Sequence, residues 1–163
     1  MAELRPEEIF RALEKHGVRY VLIGGYAAVI HGSNAATFDV DVTPEESLDN
    51  LEKLSGALTE LDAKVRTAAQ PEGVAFGHDG RSLAAVRIWN LTTRYGDLDL
   101  TFEPSGTSGY KDLARGAVRI SLNGIEVSVA SLADVVRSKE AAGRPKDQLT
   151  LPTLRRILEE GRG

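Results

Sequence analysis

Apolar and polar positions alternate along the chain in two rhythms, one near 3.6 residues and one of 2, and the switches between them mark the predicted elements. Pro6, Glu7 and Glu8 suit a first helical turn, and Ile9, Phe10 and Leu13 carry its apolar stripe to about residue 16, where Gly17 ends it. Residues 18–23 read as a buried strand, and Gly24-Gly25 leads from it into a small-residue helix over 26–31, closed by Gly32. A polar loop fills 33–37. Residues 38–42 form a second strand in which two carboxylates alternate with Phe38, Val40 and Val42, the three expected to face the core. Pro44, Glu45 and Glu46 open a helix that carries Leu48, Leu51, Leu54, Leu58 and Leu61 at helical spacing.

The rhythm fades over 62–81, which is rich in Gly, Ala and Pro, with one short strand expected near 64–66. Strands follow over 86–92 and 97–102, joined by a turn at 94–96. A loop at 104–109 precedes a short helix over 110–115, and a second hairpin pairs 117–122 with 125–129 across Asn123-Gly124, the strongest short turn signal in the chain. Ser131 caps a helix with Asp134 three residues on, that helix runs to about Ala142, Gly143 breaks it, and a last helix covers 146–160. No repeat, linker or low-complexity tract interrupts the 163 residues, so the pattern predicts a single mixed α/β (α+β) domain over 1–163.

Composition narrows this picture by exclusion. No apolar run approaches a membrane span and no secretory-type leader opens the chain, so a cytoplasmic address without membrane contact is expected. The absence of cysteine excludes disulfides and thiolate metal sites. A net charge of -4 argues against a protein that coats nucleic acid non-specifically. Charge is unevenly spread: residues 1–60 hold eleven acidic and five basic side chains, whereas 137–156 hold six basic and two acidic. Two walls of one cleft would give this asymmetry, and so would two solvated helix faces.

The chemistry concentrates in the second strand. Residues two apart on a strand share a face, so Asp39 and Asp41 project side by side. Adjacent carboxylates repel, and a divalent cation reverses that cost, Mg²⁺ taking one or two protein carboxylates together with substrate phosphates. A solvated pair on an edge strand is the competing reading. The Gly24-Gly25 turn before it lets backbone approach a phosphate closely and aims helix N–H groups at it.

Ile23-Gly24-Gly25 followed by Asp39-Val40-Asp41-Val42 resembles the nucleotidyltransferase superfamily, with its h-G-[GS] turn and D-h-[DE]-h strand. The resemblance implies a polymerase beta-like fold, a small mixed sheet flanked by helices, with Mg²⁺ or Mn²⁺ and a nucleoside triphosphate as substrate. It also implies a third carboxylate on a later strand. Asp97 and Asp99 share one face of the 97–102 strand, and Asp99, deeper in it, is the favoured one of the two metal candidates. Many members have Ser where Gly25 stands, so phosphate contact there falls to backbone or to Ser33.

The stretch Ser138-Lys139 through Arg144, Lys146 and Asp147 is similar to the S-K-x-x-x-x-R-x-K-D stretch of minimal nucleotidyltransferases related to the AbiEii and MenT toxins. That resemblance gives Lys139 the triphosphate, makes Asp147 the residue that completes the site, and implies tRNA as acceptor and a cognate antitoxin as partner. Arg144 is a second phosphate contact by virtue of its planar fork. Competing readings are transfer to a small molecule of the aminoglycoside type, transfer to protein hydroxyls, and a catalytically silent module that holds a nucleotide or a partner. Trp89 and Tyr110 read as packing residues, and His16, His31 and His78 carry no ligand signal.

Overall fold

The computed structural model describes residues 3–162; Met1, Ala2 and Gly163, at the ends of the expected 1–163 span, lie outside the described residues. In chain order the strands are β1 (Tyr20–Ile23), β2 (Asp39–Pro44), β3 (Lys64–Val65), β4 (Ile88–Thr93), β5 (Gly96–Thr101), β6 (Val118–Leu122) and β7 (Ile125–Val129). The helices are α1 (Pro6–Lys15), α2 (Gly24–Ile30), α3 (Leu48–Glu60), α4 (Gly80–Ala84), α5 (Tyr110–Gly116), α6 (Leu132–Ala142) and α7 (Pro145–Arg162). All seven strands join one mixed sheet in the order β3-β4-β5-β2-β1-β7-β6. The expected mixed α/β architecture is therefore present. β2 lies parallel to β5 and antiparallel to β1, and β1 lies parallel to β7.

Register separates the two faces of the central strands. Val40 sits beside Leu98, which in turn faces Leu91, and all three are fully buried. On the opposite face Asp39 sits beside Asp97 and Asp41 beside Asp99. Burying the aliphatic row fixes the phase of both strands, since a slip of one residue would put the carboxylates in the core. α1 contributes Ile9, Phe10 and Leu13 to that core and packs against β7 and α3. α2 packs on β1, β2 and α6, and α6 packs on α7. The His31 ring, through Nε2, makes a 2.7 Å hydrogen bond with the Ala130 carbonyl, tying the end of α2 to the chain between β7 and α6.

Three expectations are corrected. Phe38 lies outside β2, which begins at Asp39, and its side chain is 81% exposed rather than in the core. The alternation that would bury it holds only within the paired strand. Pro44 closes β2 opposite Tyr20 instead of opening a helix; α3 starts at Leu48, whose side chain is half exposed. The delay comes from Ser47, whose hydroxyl accepts from the Asn50 N–H at 3.2 Å as the helix cap. Finally, the stretch over 62–81 that lacked a pattern leads into α4, whose capping box pairs Asp79 with Ser82. Five residues are too few to show a helical stripe.

Asn50 ties three elements together. Fully buried, it accepts from the Arg19 N–H at 2.7 Å and donates to the carbonyls of Arg19 at 2.9 Å and Glu45 at 2.8 Å. Replacing it by Ala leaves the Arg19 N–H and the Glu45 carbonyl without these partners, while the Arg19 carbonyl keeps the Glu45 N–H at 3.1 Å. Asn50→Ala is therefore expected to lower unfolding free energy by about 2–3 kcal/mol, read as a lower urea midpoint at unchanged m-value.

Candidate active site

Position 24 joins the turn to the carboxylates. Gly24 leaves β1 at φ +82, a conformation L side chains rarely adopt, and passes directly into α2. Ile23 faces Asp41 in the antiparallel register, so Gly24 lies against that carboxylate. A Cβ on residue 24 would stand 2.9 Å from Asp41 Cγ and collide with Oδ2. Gly25 is similarly close to Thr37, whose Oγ1 a Cβ would meet at 3.0 Å.

Asp39, Asp41 and Asp99 each place a carboxylate oxygen within 4.8 Å of the others. Burial pushes the Asp41 carboxyl up to about 6, reinforced by Asp39. Asp99 is pushed further, to about 8, first by burial and then by Asp41, against the pull of Arg66. Asp97, opposite Asp39 in the same register, is not one of the three. It stands 3.5 Å from Nη1 of Arg66, whose Nη2 donates to Asp99 Oδ1 at 3.1 Å.

The basic stretch from Lys139 to Lys146 shares two clefts with this cluster. Lys139 on α6 is buried, with Nζ 3.3 Å from Asp147 Oδ1, and Arg144 Nε lies 2.7 Å from Asp147 Oδ2. Asp147 is fully buried. Burial opposes its ionisation, but the Arg144 guanidinium and the Lys139 ammonium outweigh it and hold the carboxyl below the usual range. Two clefts share Asp41, Lys139 and Arg144. One, of about 460 Å³, adds Asn90, Asp99, Thr101 and Ser105. The other, of about 370 Å³, adds Gly25, Ser33, Asp39 and Lys146, and its rim carries the exposed side chains of Phe38 and Leu149. The hydroxyl of Ser33 accepts from the Ala35 N–H at 3.2 Å.

Neither a protein-family model nor a curated protein matches the chain. Solved structures do. A provisionally assigned nucleotidyltransferase of Thermotoga maritima superposes with a TM-score of 0.57 at 18% identity, over 98% of this chain and 97% of that one. The lincosamide antibiotic adenylyltransferase LnuA, bound to lincomycin, gives 0.61 at 14% identity, covering 95% and 99%. An antigenic nucleotidyltransferase-like protein of Paracoccidioides brasiliensis gives 0.55 at 18%, covering 97% and 78%. The chain has the nucleotidyltransferase fold.

In this nucleotidyltransferase fold the site residues singled out from the sequence line the two clefts, Asp97 and Asp147 excepted. Asp99 stands among the clustered carboxylates and Asp97 stands against Arg66. Asp147 lines neither cleft; it lies behind Lys139 and Arg144 and holds both. Arg66 and Asn90, which faces Asp99 from β4, carried no signal in the sequence. Only the pairing of β3 with β4 and of β4 with β5 brings them to the cluster.

Asp41 and Asp99 keep their protons more tightly when folded than when unfolded, where 3.8 is ordinary. Protonation therefore favours the folded state, and that contribution is lost as pH rises from about 4 through about 8. Without divalent cation, the melting temperature is expected to fall across this window. Asp99→Asn should flatten the fall and raise the midpoint at pH 8 by about 3 °C or more, measured by calorimetry in chelator.

Proposed function

We propose that the chain is a nucleotidyltransferase, dependent on Mg²⁺ or Mn²⁺, that moves a nucleoside monophosphate from a nucleoside triphosphate to an acceptor hydroxyl. The observation that carries this reading is the group of three carboxylates within 4.8 Å of one another, divided between two clefts that both also hold Lys139 and Arg144. A donor set of carboxylate oxygens alone suits Mg²⁺ or Mn²⁺ better than softer metals. Such a cation, when bound, neutralises phosphate charge and aligns attacking and leaving oxygens.

Each residue then has a task. Asp39, Asp41 and Asp99 are the metal ligands. Gly24 and Gly25 offer bare backbone to the phosphates, Ser33 a hydroxyl, and Lys139 and Arg144 positive charge, with Asp147 keeping both cations aimed. The acceptor occupies the larger cleft, which alone includes Asp99. Its hydroxyl oxygen attacks the α-phosphorus while Asp99, which lines that cleft, takes the hydroxyl proton. The bond from the α-phosphorus to the bridging oxygen breaks, and pyrophosphate leaves with its electron pair.

For the acceptor, similarity of the Lys139 to Asp147 stretch to AbiEii- and MenT-type toxins supports tRNA, with the protein acting as a toxin held by a cognate antitoxin. A second reading is transfer to a small molecule. The likeness to LnuA over 95% of the chain and a cleft of about 460 Å³, within the size range of small-ligand sites, favour it. Incubation with Mg²⁺, cellular fractions and each triphosphate labelled at the α-phosphate separates them. Label in RNA supports the first, label in small molecules the second, and absence of pyrophosphate release with every acceptor refutes the enzyme. Asp41→Asn is expected to lower transfer by a factor on the order of 10³, and Asp41→Ala to abolish any growth inhibition on expression.

A further inference from the structure

Arg66 is the one cation hydrogen-bonded to a member of the carboxylate cluster among the described residues, and the reaction as proposed does not use it. Its backbone is fixed, since its N–H donates to the Asn90 carbonyl at 2.9 Å. Its guanidinium is steered from three sides. Nη1 donates to the Leu91 carbonyl at 2.8 Å, Nη2 to Asp99 Oδ1 at 3.1 Å, and Nη1 also stands 3.5 Å from Asp97 Oδ2. Asp97 lies beside Asp39 and Asp99 beside Asp41, so four carboxylates crowd one face of two adjacent strands with this single guanidinium against them.

From this geometry we infer that Arg66 is an exchangeable counter-cation, and that Asp97 is the place to which it moves when a divalent cation takes Asp99. The inference rests on the metal reading of Asp39, Asp41 and Asp99 given above. Without a metal, Arg66 offsets the repulsion among these carboxylates. A divalent cation on Asp99 repels the guanidinium, which would cost binding energy were there nowhere for it to go. Asp97 is already within reach, so Arg66 gives up one carboxylate for another while keeping the Leu91 carbonyl. Asp97 therefore acts through Arg66. It is a positioning residue, which explains why two carboxylates sit on this face of β5 although one joins the cluster.

Double-mutant measurement of Mn²⁺ affinity, by calorimetry and paramagnetic resonance on the full chain without nucleotide, tests this. Arg66→Gln removes the competing charge and is expected to tighten Mn²⁺ by about tenfold, with Arg66→Ala acting in the same direction. Asp97→Asn removes the alternative partner and is expected to weaken Mn²⁺ by about tenfold. In the Arg66→Gln background, Asp97→Asn should have almost no further effect. A merely structural Arg66 would leave Mn²⁺ affinity unchanged once melting temperatures confirm folding, and that result overturns the inference. If Asp97→Asn weakens Mn²⁺ as much in the Arg66→Gln background as in the unmodified chain, Asp97 acts on the metal without Arg66 and the inference fails while the metal site stands. If the unmodified chain binds no Mn²⁺, the metal reading itself falls and this inference with it.

Discussion

Repulsion among like charges on two adjacent parallel strands is the constraint around which the rest of the molecule is arranged. β2 and β5 align Asp39 with Asp97 and Asp41 with Asp99, an arrangement no sheet adopts for its own stability. What enforces it is the other face, where Val40, Leu98 and Leu91 form a dry row and Val42 and Leu100 are buried with them. Moving the carboxylates apart would require giving up that row. The hydrophobic effect on one side of the sheet thereby sustains electrostatic strain on the other.

The cationic side of the cleft follows a different logic. Lys139 and Arg144 are held by one buried carboxylate, Asp147, so their charges are paired before any ligand arrives. Sharing one anion between two cations leaves a net positive charge beside Asp41, whose ionisation Lys146 and Arg144 also favour. An acidic strand and a basic helix pair, distant in sequence, thus stabilise one another's charged forms across the clefts.

Much of this was legible in the sequence because it depends on local periods. The period of two put Asp39 and Asp41 on one face, and a strand entering Gly24-Gly25 predicted a turn close to them. Ser131 as a cap, Gly143 as a break and the Asn123-Gly124 hairpin all stand where their chemistry placed them. What local pattern could not decide was register between strands. Asp97 and Asp99 are equivalent in phase, and only the pairing of β5 with β2 puts one in the cluster and leaves the other against Arg66. Arg66 itself comes from a stretch without rhythm, delivered by a two-residue strand. Phe38 was misplaced because alternation was extended one residue past the first paired position.

The contact between Gly24 and Asp41 bears on how this protein can vary. Every amino acid reachable from a glycine codon by one base change carries a Cβ, and at position 24 that first carbon lands on the Asp41 carboxylate. Turn and cluster are therefore a single unit of inheritance. A substitution that looks like a change in a loop alters the charged centre of the molecule, and drift at residue 24 is barred by a carboxylate seventeen positions downstream.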